Sequence, residues 1–494
     1  MHVRHETTTG FRFGADGSDN FSSGGSSPAT PSGPSVDSDD GSTSTDEYCP
    51  DGPREFRRHL SRFAPSVLAE VDPSSFRPIS PSFSCVLADV DKHLQRMVLL
   101  LPAFSAAAAA AVRTDALRQW LTSFDVGWVL DMDDRGSLPR REVGRRVTEW
   151  ARALGAMERV FRHRHRHREV RSLVNDAAAT ELAALGQLAA ESAGAMLRLA
   201  GSVVALGSSP SKLLAALDVH GPVSETYPGL ARTFSWPPSH PVSVASDTAL
   251  AGLLAASRHC LRDLRAFIRA PQYPWRMPQG GEVHPCVGFW MGYFRCLLRN
   301  RVSLYFVLAG GDEEPTTPLP ADEGGLVMEL ISCLEAVLEE KSGALAFPGL
   351  RQIFMLNNTS ALVRRAVRSD LSMFLPPGWV HAREDRLKGY LKDYLEISWA
   401  PVVARLLDGK PEALRVLRRR NRLSAFYSAL ENVCGMQRDW KVPGPALRAV
   451  LRRTVSENVM PAYRRYLDDH PEVEVPAGRS AEELEHQLSE LFEG

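Results

Sequence analysis

The sequence lacks any close pair of cysteines. Seven cysteines are scattered over 494 residues, at Cys49, Cys85, Cys260, Cys286, Cys296, Cys333 and Cys434. An odd set without a C-x-x-C pair excludes the disulfide framework of a small secreted domain. We therefore predict a cytoplasmic protein whose thiols stay reduced.

Long apolar runs are also missing. The start of the sequence, MHVRHETTTG, has no apolar region behind its charges, so the pattern of a signal peptide is absent. The longest near-apolar run, residues 97–112, is too short to span a bilayer and contains Pro102. We interpret this run as a helix that packs through small residues.

The sequence has no excess of charge and no catalytic signature. A formal net charge of -1 excludes a global field that would attract nucleic acid, so charged partners must use local patches. It contains no P-loop, G-x-G-x-x-G, G-x-S-x-G or H-E-x-x-H motif. Cys434 follows the helical spacing of Phe426, Leu430 and Val433, which indicates a core position. We predict a non-enzymatic protein without cofactor or metal.

Composition divides the chain into three parts. Residues 1–75 are rich in Ser, Gly, Thr, Pro and Asp, a composition typical of a disordered tail. A short helical segment is predicted at 76–135 and a helical-bundle domain at 136–494. Apolar stripes of helical spacing occupy this domain, for example from Val143 to Phe161, and Pro/Gly breakers separate the helices. The pattern predicts an all-α fold, an elongated rod of stacked antiparallel helical bundles.

Two stretches resemble metal sites. DMDDRGSLPRRE places Asp131, Asp133 and Glu142 at ligand positions of a calcium loop, but Arg135 occupies another, so a turn before a helix is favoured. FRHRHRHREV places His163 and His167 one helical turn apart among arginines, which repel a metal dication. A solvated basic helix end is favoured there, with a zinc pair or a patch for an anionic partner as the alternatives.

The stretch RQIFMLNNTSALVRR contains two overlapping N-x-[ST] glycosylation patterns. Its apolar residues recur at helical spacing from Ile353 to Val367. We therefore interpret Asn357 and Asn358 as residues of a packed helix, whose side-chain amides need hydrogen-bond partners.

Charge is uneven near the C-terminus. Residues 412–466 contain twelve arginines and lysines against four acids, and the residues after Leu467 contain nine acids against one arginine. Clustered cations suit an anionic membrane surface, while a solvated helix face is the alternative. The candidate lipid-binding residues are Arg448, Arg452, Arg453, Arg464 and Arg465.

Six stretches together resemble the Exo70 subunit family of the exocyst, the complex that tethers secretory vesicles to the plasma membrane. In chain order they are SPSKLLAALDVHGPVSETYP, QGGEVHPCVGFWMGYF, LRQIFMLNNTSALVRRAVRSDL, PPGWVHAREDRLKGYLKDYLEISWAPVV, AFYSALENVCGMQRDWKVPGPALRAVL and NVMPAYRRYL. The similarity runs from about Arg140 to the C-terminus and is of the plant type. It implies a rod of helical bundles, binding to phosphatidylinositol bisphosphate, and assembly with other exocyst subunits.

The sequence departs from the family pattern in two places. Only about fifty helix-like residues precede the similar region, where family members usually have a long helical segment that coils with partner subunits. Gly478 stands where the family has a lipid-contacting lysine. The upstream arginines are then the remaining candidates for lipid contact.

Two functions follow as expectations. The first is an exocyst subunit that targets vesicles during exocytosis, located in the cytoplasm and peripherally on the plasma membrane or secretory vesicles. Small GTPases and immune-related proteins are further candidate partners. The alternative is a soluble helical adaptor, for example in plant immunity, that has lost exocyst assembly and lipid binding. The short N-terminal part and the acidic tail favour the adaptor, while the basic region favours the tether.

Overall fold

The computed structural model describes most of the chain from residue 106 onward. The described ranges are 106–132, 142–172, 176–270, 275–310, 322–407, 415–471, 473–476 and 479–493, with 88, 90–92, 95 and 320 in addition. The predicted tail, much of the predicted segment 76–135, and the interior of the calcium-like loop lie outside these residues. The predicted domain boundaries stay predictions.

Helices form the regular structure of the described ranges, and the predicted all-α class is confirmed there. They are α1 (Ala106–Thr122), α2 (Val143–Ser172), α3 (Asp176–Ala205), α4 (Pro210–Thr233), α5 (Pro241–Arg269), α6 (Pro285–Arg299), α7 (Arg301–Ala309), α8 (Glu323–Ser342), α9 (Pro348–Val367), α10 (Trp379–Ser398), α11 (Ala400–Val403), α12 (Arg415–Met436), α13 (Pro445–Asp468) and α14 (Ala481–Ser489). Gly127–Asp131 and Asp370–Phe374 are short 3-10 helices.

Proline fixes where several of these helices begin. The first turns of α4, α5, α6, α9 and α13 contain Pro210, Pro241, Pro285, Pro348 and Pro445. The N–H that proline lacks is one that the first turn leaves unpaired, and its ring presets a helical φ. The proline that ends one helical stretch in the sequence therefore also begins the next helix.

The predicted apolar stripes form the interior of the first bundle. Val147, Trp150 and Leu154 of α2 are buried, as are Leu185 and Leu188 of α3. A residue every third or fourth position faces the same side of a helix, so one stripe buries one face of each helix. The stripe predicted from Val143 to Phe161 therefore contributes to this core, together with one face of α3.

Two hydrophobic cores follow one another along the chain and share α4 and α5. In α4, Leu213 and Leu217 belong to the second core, while Val219 and Val223 belong to the first. The second core is then built from α6 onward and ends at Phe492. The predicted stacking of helical bundles is confirmed by this sharing.

One described helix is long and apolar enough to cross a membrane. This stretch of α3 runs from Ala177 to Ala205, and 61% of its most apolar window is buried inside the protein. Its alanines and leucines pack against α2, α4 and α5, as in a core helix of a helical bundle.

Candidate functional site

All five predicted lipid-binding arginines lie on α13. The helix buries a stripe of apolar residues at helical spacing, Leu447, Leu451, Val455 and Val459, together with Tyr463. Residues next to a buried stripe lie on its flanks, where long basic side chains reach solvent while their stems pack. The arginines of α13 occupy these flanks.

Arg448 and Arg452 converge on one carboxylate, that of Glu493. Arg448 donates through Nε to the carbonyl of Val442 at 3.0 Å and through Nη1 to Glu493. Arg452 donates through Nε to the carbonyl of Leu491 at 2.8 Å and through Nη2 to Glu493 at 2.6 Å. Hydrogen bonds from the two arginines lower the pKa of Glu493, and the bond from Arg452 has the larger effect. Each guanidinium is thus fixed by a backbone carbonyl as well as by the acid.

The other three arginines also face acids. The nitrogen–oxygen distance is 2.9 Å for Arg464 and Glu485, and these two side chains are each about half exposed. Arg453 lies 3.6 Å from Glu457 within α13, and Arg465 lies 3.8 Å from Asp469, the residue that follows the helix. Such solvent-exposed pairs contribute little to stability. The five candidate arginines of α13 are therefore all paired with acids.

The carboxylates of Glu485 and Glu493 belong to residues 479–493, which we call the acidic segment. Ser480 begins its helix with a capping box, in which the Glu483 N–H donates to Ser480 Oγ at 3.2 Å and the Ser480 N–H donates to Glu483 Oε2 at 2.8 Å. Four apolar side chains of the segment are buried in the second core: Leu484, Leu488, Leu491 and Phe492. The segment is docked by its apolar face.

A chain of hydroxyls ties the start of the acidic segment to the neighbouring helices. Tyr427 of α12 and Tyr463 of α13 share a hydrogen bond of 2.8 Å, and Tyr463 donates to the carbonyl of Arg479 at 2.7 Å. Arg479 forms an ion pair with Glu431 and lies over the Tyr427 ring, 5.1 Å from its centre. Burial raises the pKa of both tyrosines, so both hydroxyls keep their protons.

Two of the family-like motifs meet beneath the acidic segment. The Tyr394 hydroxyl donates to Gln437 Oε1 at 2.7 Å and accepts from Trp399 Nε1 at 2.7 Å. The Phe492 ring lies 6.1 Å from Tyr394, and the Trp440 ring lies 6.4 Å from it. The residues that mark the resemblance at Tyr394–Trp399 and Gln437–Trp440 are therefore one buried polar cluster.

The two asparagines of α9 are buried, and the side chain of each makes hydrogen bonds outside its own helix. Asn357 Nδ2 donates to the carbonyls of Gly281 at 2.7 Å and Lys441 at 2.8 Å. Asn358 Oδ1 accepts from the His284 N–H at 2.8 Å. At 3% and 0% exposure, neither side chain is accessible to a glycosylating enzyme. The interpretation of this stretch as a packed helix is confirmed.

Sequence reasoning missed the ion cluster of α8 and α10. Arg383 donates to both oxygens of Glu335 at 3.0 Å, and Arg386 donates to the same carboxylate at 3.2 Å. The Arg383 guanidinium also lies 4.4 Å above the centre of the Trp379 ring. Glu335 is a buried acid in an otherwise apolar stripe of α8. An acid at such a position in the sequence indicates that a basic partner lies on a neighbouring helix.

The metal-like patterns do not come together as sites in the described residues. Asp131 pairs with Arg118 at 2.8 Å. His163 and His167 are both exposed, and Arg168 pairs with Asp91 and Glu181 at 2.9 Å. No group of three possible ligands was found over the part of the chain that the structure describes.

The five cysteines that the structure describes are free thiols: Cys260, Cys286, Cys296, Cys333 and Cys434. Burial raises the pKa of Cys434 to about 11, which opposes formation of the nucleophilic thiolate. The prediction that Cys434 packs in a helix is consistent with its position beside the buried Leu430 and Val433.

A family model for the C-terminal part of the Exo70 exocyst complex subunit matches residues 149–490. The chain belongs to the Exo70 family. Among its relatives, Arabidopsis thaliana exocyst complex component EXO70B2 is 28% identical over 301 residues, which cover 58% of this chain and 49% of the relative. Exocyst complex component EXO70B1 of the same plant is 23% identical over 378 residues, which cover 74% of this chain and 60% of the relative.

The Exo70-type chain spans about half the length of the curated relatives it matches. The predicted plant-type membership is confirmed by these relatives. The crystal structure of the Saccharomyces cerevisiae exocyst component Exo70p is similar over 89% of this chain and 94% of the yeast chain, at 13% identity and a TM-score of 0.44.

Proposed function

We propose that this chain acts as a non-catalytic subunit of the exocyst and helps to tether secretory vesicles at the plasma membrane. The observation that carries the proposal is the family match, which extends across residues 149–490. The motifs behind the resemblance are also packed together, as the buried Tyr394, Gln437 and Trp399 hydrogen bonds illustrate. Other exocyst subunits are the expected partners, and the cytoplasm with peripheral membrane contact is the expected location.

The proposed membrane contact is the basic flank of α13. Guanidinium groups bind phosphate with paired hydrogen bonds, and juxtaposed cations are attracted to anionic phosphoinositide surfaces. Arg453, Arg464 and Arg465 have side chains that are 66%, 54% and 85% exposed, so they are accessible to a lipid headgroup. Small GTPases and immune-related proteins remain further candidate partners.

A soluble adaptor derived from an exocyst subunit is the second candidate. One observation favours it: carboxylates of the acidic segment neutralise arginines of α13, at Glu493 and Glu485. Paired cations attract an anionic surface less strongly than free ones. An adaptor of this kind would bind protein partners without the exocyst and without lipid.

Native co-purification separates the two candidates. The chain is tagged at residue 1, expressed at its normal level in its own cells, and recovered with its partners for mass spectrometry. Recovery of the other exocyst subunits is expected for the tether. Their consistent absence, with other partners recovered, would favour the adaptor.

Lipid binding is tested by sedimentation with vesicles of phosphatidylcholine, with or without phosphatidylinositol bisphosphate. The variant R453Q/R464Q/R465Q is expected to lose binding to the charged vesicles. A matched control, R152Q/R159Q/R166Q, removes three exposed arginines of α2 and is expected to bind like the unmodified protein. Equal losses in both variants would contradict a specific role for α13.

A further inference from the structure

Arg448 and Arg452 form a prearranged anion site. Two guanidiniums approach the same carboxylate, that of Glu493, from successive turns of α13. Each also donates to a backbone carbonyl, Arg448 to Val442 and Arg452 to Leu491. Because the carbonyl bonds do not depend on Glu493, the two guanidiniums keep their positions when the carboxylate leaves. The site is therefore available to another anion without rebuilding.

Glu493 is held less firmly than the arginines it pairs with. Its side chain is 59% exposed, whereas those of Arg448 and Arg452 are 24% and 23% exposed. The backbone beside it is fixed separately, since Leu491 and Phe492 are buried and the Val442 N–H donates to the Phe492 carbonyl at 3.3 Å. A rotation of the Glu493 side chain alone thus opens the anion site, while the acidic segment stays docked.

The ion pair between Glu485 and Arg464 is also exposed to solvent. Glu485 of α14 and Arg464 of α13 are 52% and 54% exposed. Their 2.9 Å contact joins two helices through side chains at the protein surface, where an exposed ion pair is weak. Release of Glu485 exposes one more arginine on the same helix as the anion site.

The local charge balance explains why these contacts matter. Residues 445–493 contain six arginines and ten carboxylates. The region has a net negative charge in either state, and with the pairs closed the adjoining carboxylates screen its arginines from an anionic lipid surface. A phosphate monoester carries more charge than a carboxylate and offers three acceptor oxygens to a pair of guanidiniums. A dense phosphate surface is therefore a stronger ligand for this site than Glu493.

We propose that the acidic segment is an intramolecular competitor of the membrane: Glu493 occupies the Arg448–Arg452 anion site and Glu485 occupies Arg464 until a phosphoinositide surface displaces them. This inference rests on the membrane contact proposed for α13. It adds a second set of lipid ligands, Arg448 and Arg452, that is closed in the free protein. It also makes membrane binding depend on the density of phosphate groups.

The test is vesicle sedimentation with the full chain and three variants. E485Q/E493Q removes both competing charges and keeps side-chain size. E474Q/E490Q removes two carboxylates from nearby exposed positions, and among the described residues neither of them pairs with an arginine. E493Q alone is a milder second variant. The vesicles are phosphatidylcholine containing phosphatidylinositol bisphosphate, at physiological salt.

We expect E485Q/E493Q to bind these vesicles about 30-fold more tightly than the unmodified protein, because it removes two competing negative charges and each such charge corresponds to about 5-fold near an anionic surface. E493Q should give a smaller gain, and E474Q/E490Q a change of less than about twofold because its charges act only through screened solvent. Thermal unfolding of each variant checks that the fold is retained.

Three results would overturn the inference. Equal binding by the unmodified protein and E485Q/E493Q would contradict competition by the acidic segment without contradicting the proposed membrane contact of α13. Equal gains in E485Q/E493Q and E474Q/E490Q would indicate a general charge effect instead. A complete lack of binding by all proteins would remove the inference together with the proposed membrane contact.

Discussion

Every polar group of the Asn358 side chain has a partner. Its oxygen accepts from the His284 N–H, and its amide donates to the carbonyls of Phe354 at 2.7 Å and Glu282 at 3.3 Å. The bonds with His284 and Glu282 join α9 to the chain just before α6. Buried backbone groups need hydrogen bonds, and here the Asn358 side chain supplies them where no neighbouring helix or strand does.

Asn358→Ala is therefore expected to lower the free energy of unfolding by about 1–3 kcal/mol, since it leaves a buried N–H unpaired. Urea unfolding followed by circular dichroism measures this loss. Asn421→Ala is the control, because Asn421 is an exposed helical residue of α12 and its removal costs little. Equal midpoints for the two variants would contradict the role given to Asn358.

His284 makes stability depend on pH. Its side chain is fully buried, and burial, followed by the charge of Lys341, lowers its pKa from 6.5 to about 4. The unfolded chain then takes up a proton between these pH values that the folded chain does not. Stability is thus present above pH 6.5 and falls as the pH is lowered towards 4, by at most about 1.4 kcal/mol per pH unit.

Unfolding of the protein and of His284→Asn at several pH values tests this. Asparagine does not titrate and still accepts the Cys286 N–H bond that His284 Nδ1 accepts at 3.2 Å. The variant should lose less stability than the unmodified protein between pH 6.5 and 4. Parallel losses would mean that other groups cause the acid sensitivity.

At the scale of elements, two glycines with nearly the same positive φ distinguish backbone strain from packing. Gly281 has φ +81 and Gly378, before α10, has φ +80. A Cβ at position 281 would lie 2.9 Å from Leu350 Cδ1, whereas one at position 378 would meet nothing within 4 Å. Both substitutions strain the left-handed backbone, and only one also crowds α9.

Gly378→Ala should therefore cost about 1–2 kcal/mol, the left-handed penalty. Gly281→Ala should cost a further 1–3 kcal/mol or so, because the added methyl group overpacks the contact with Leu350. Denaturant unfolding of both variants gives the difference directly. Similar losses would indicate that Leu350 moves aside freely.

The helices were predictable from the sequence, while the pairings between them were not. The stripe from Val143 to Phe161 follows local spacing, and local spacing decides which face of a helix is buried. The sign reversal after Leu467 was also visible as composition. That Glu493 meets Arg448 depends on the docking of the acidic segment against α13, at a separation of 45 residues that no local pattern contains. The Glu335–Arg383 pair was missed for the same reason, with a separation of 48 residues.

At the scale of the whole described chain, two cores joined through α4 and α5 should respond separately to damage. Leu185 is buried in the first core and Leu430 in the second. Each leucine-to-alanine change should cost about 2–5 kcal/mol through lost contacts and a residual cavity. The two losses belong to different groups of helices.

Hydrogen exchange can locate these losses. Leu185→Ala should increase amide exchange mainly in α2 and α3, and Leu430→Ala mainly in α12 and α13. Amides of α4 and α5 should respond to both changes, because these helices contribute to both cores. Uniform faster exchange along the chain in either variant would mean that the cores unfold as one unit.

The bond from Asn357 to the Lys441 carbonyl has a consequence for synthesis on the ribosome. The two residues are 84 positions apart, so α9 is made well before its partner exists. At about 5–20 residues per second, this interval lasts roughly 4–17 seconds. During that time the Asn357 N–H that will bond to Lys441 must stay hydrated or bond elsewhere, while the bond to the Gly281 carbonyl can already form. In nascent chains halted before position 441, α9 should therefore be incompletely packed and chaperones should bind the chain. Extending these chains past position 441 should release the chaperones.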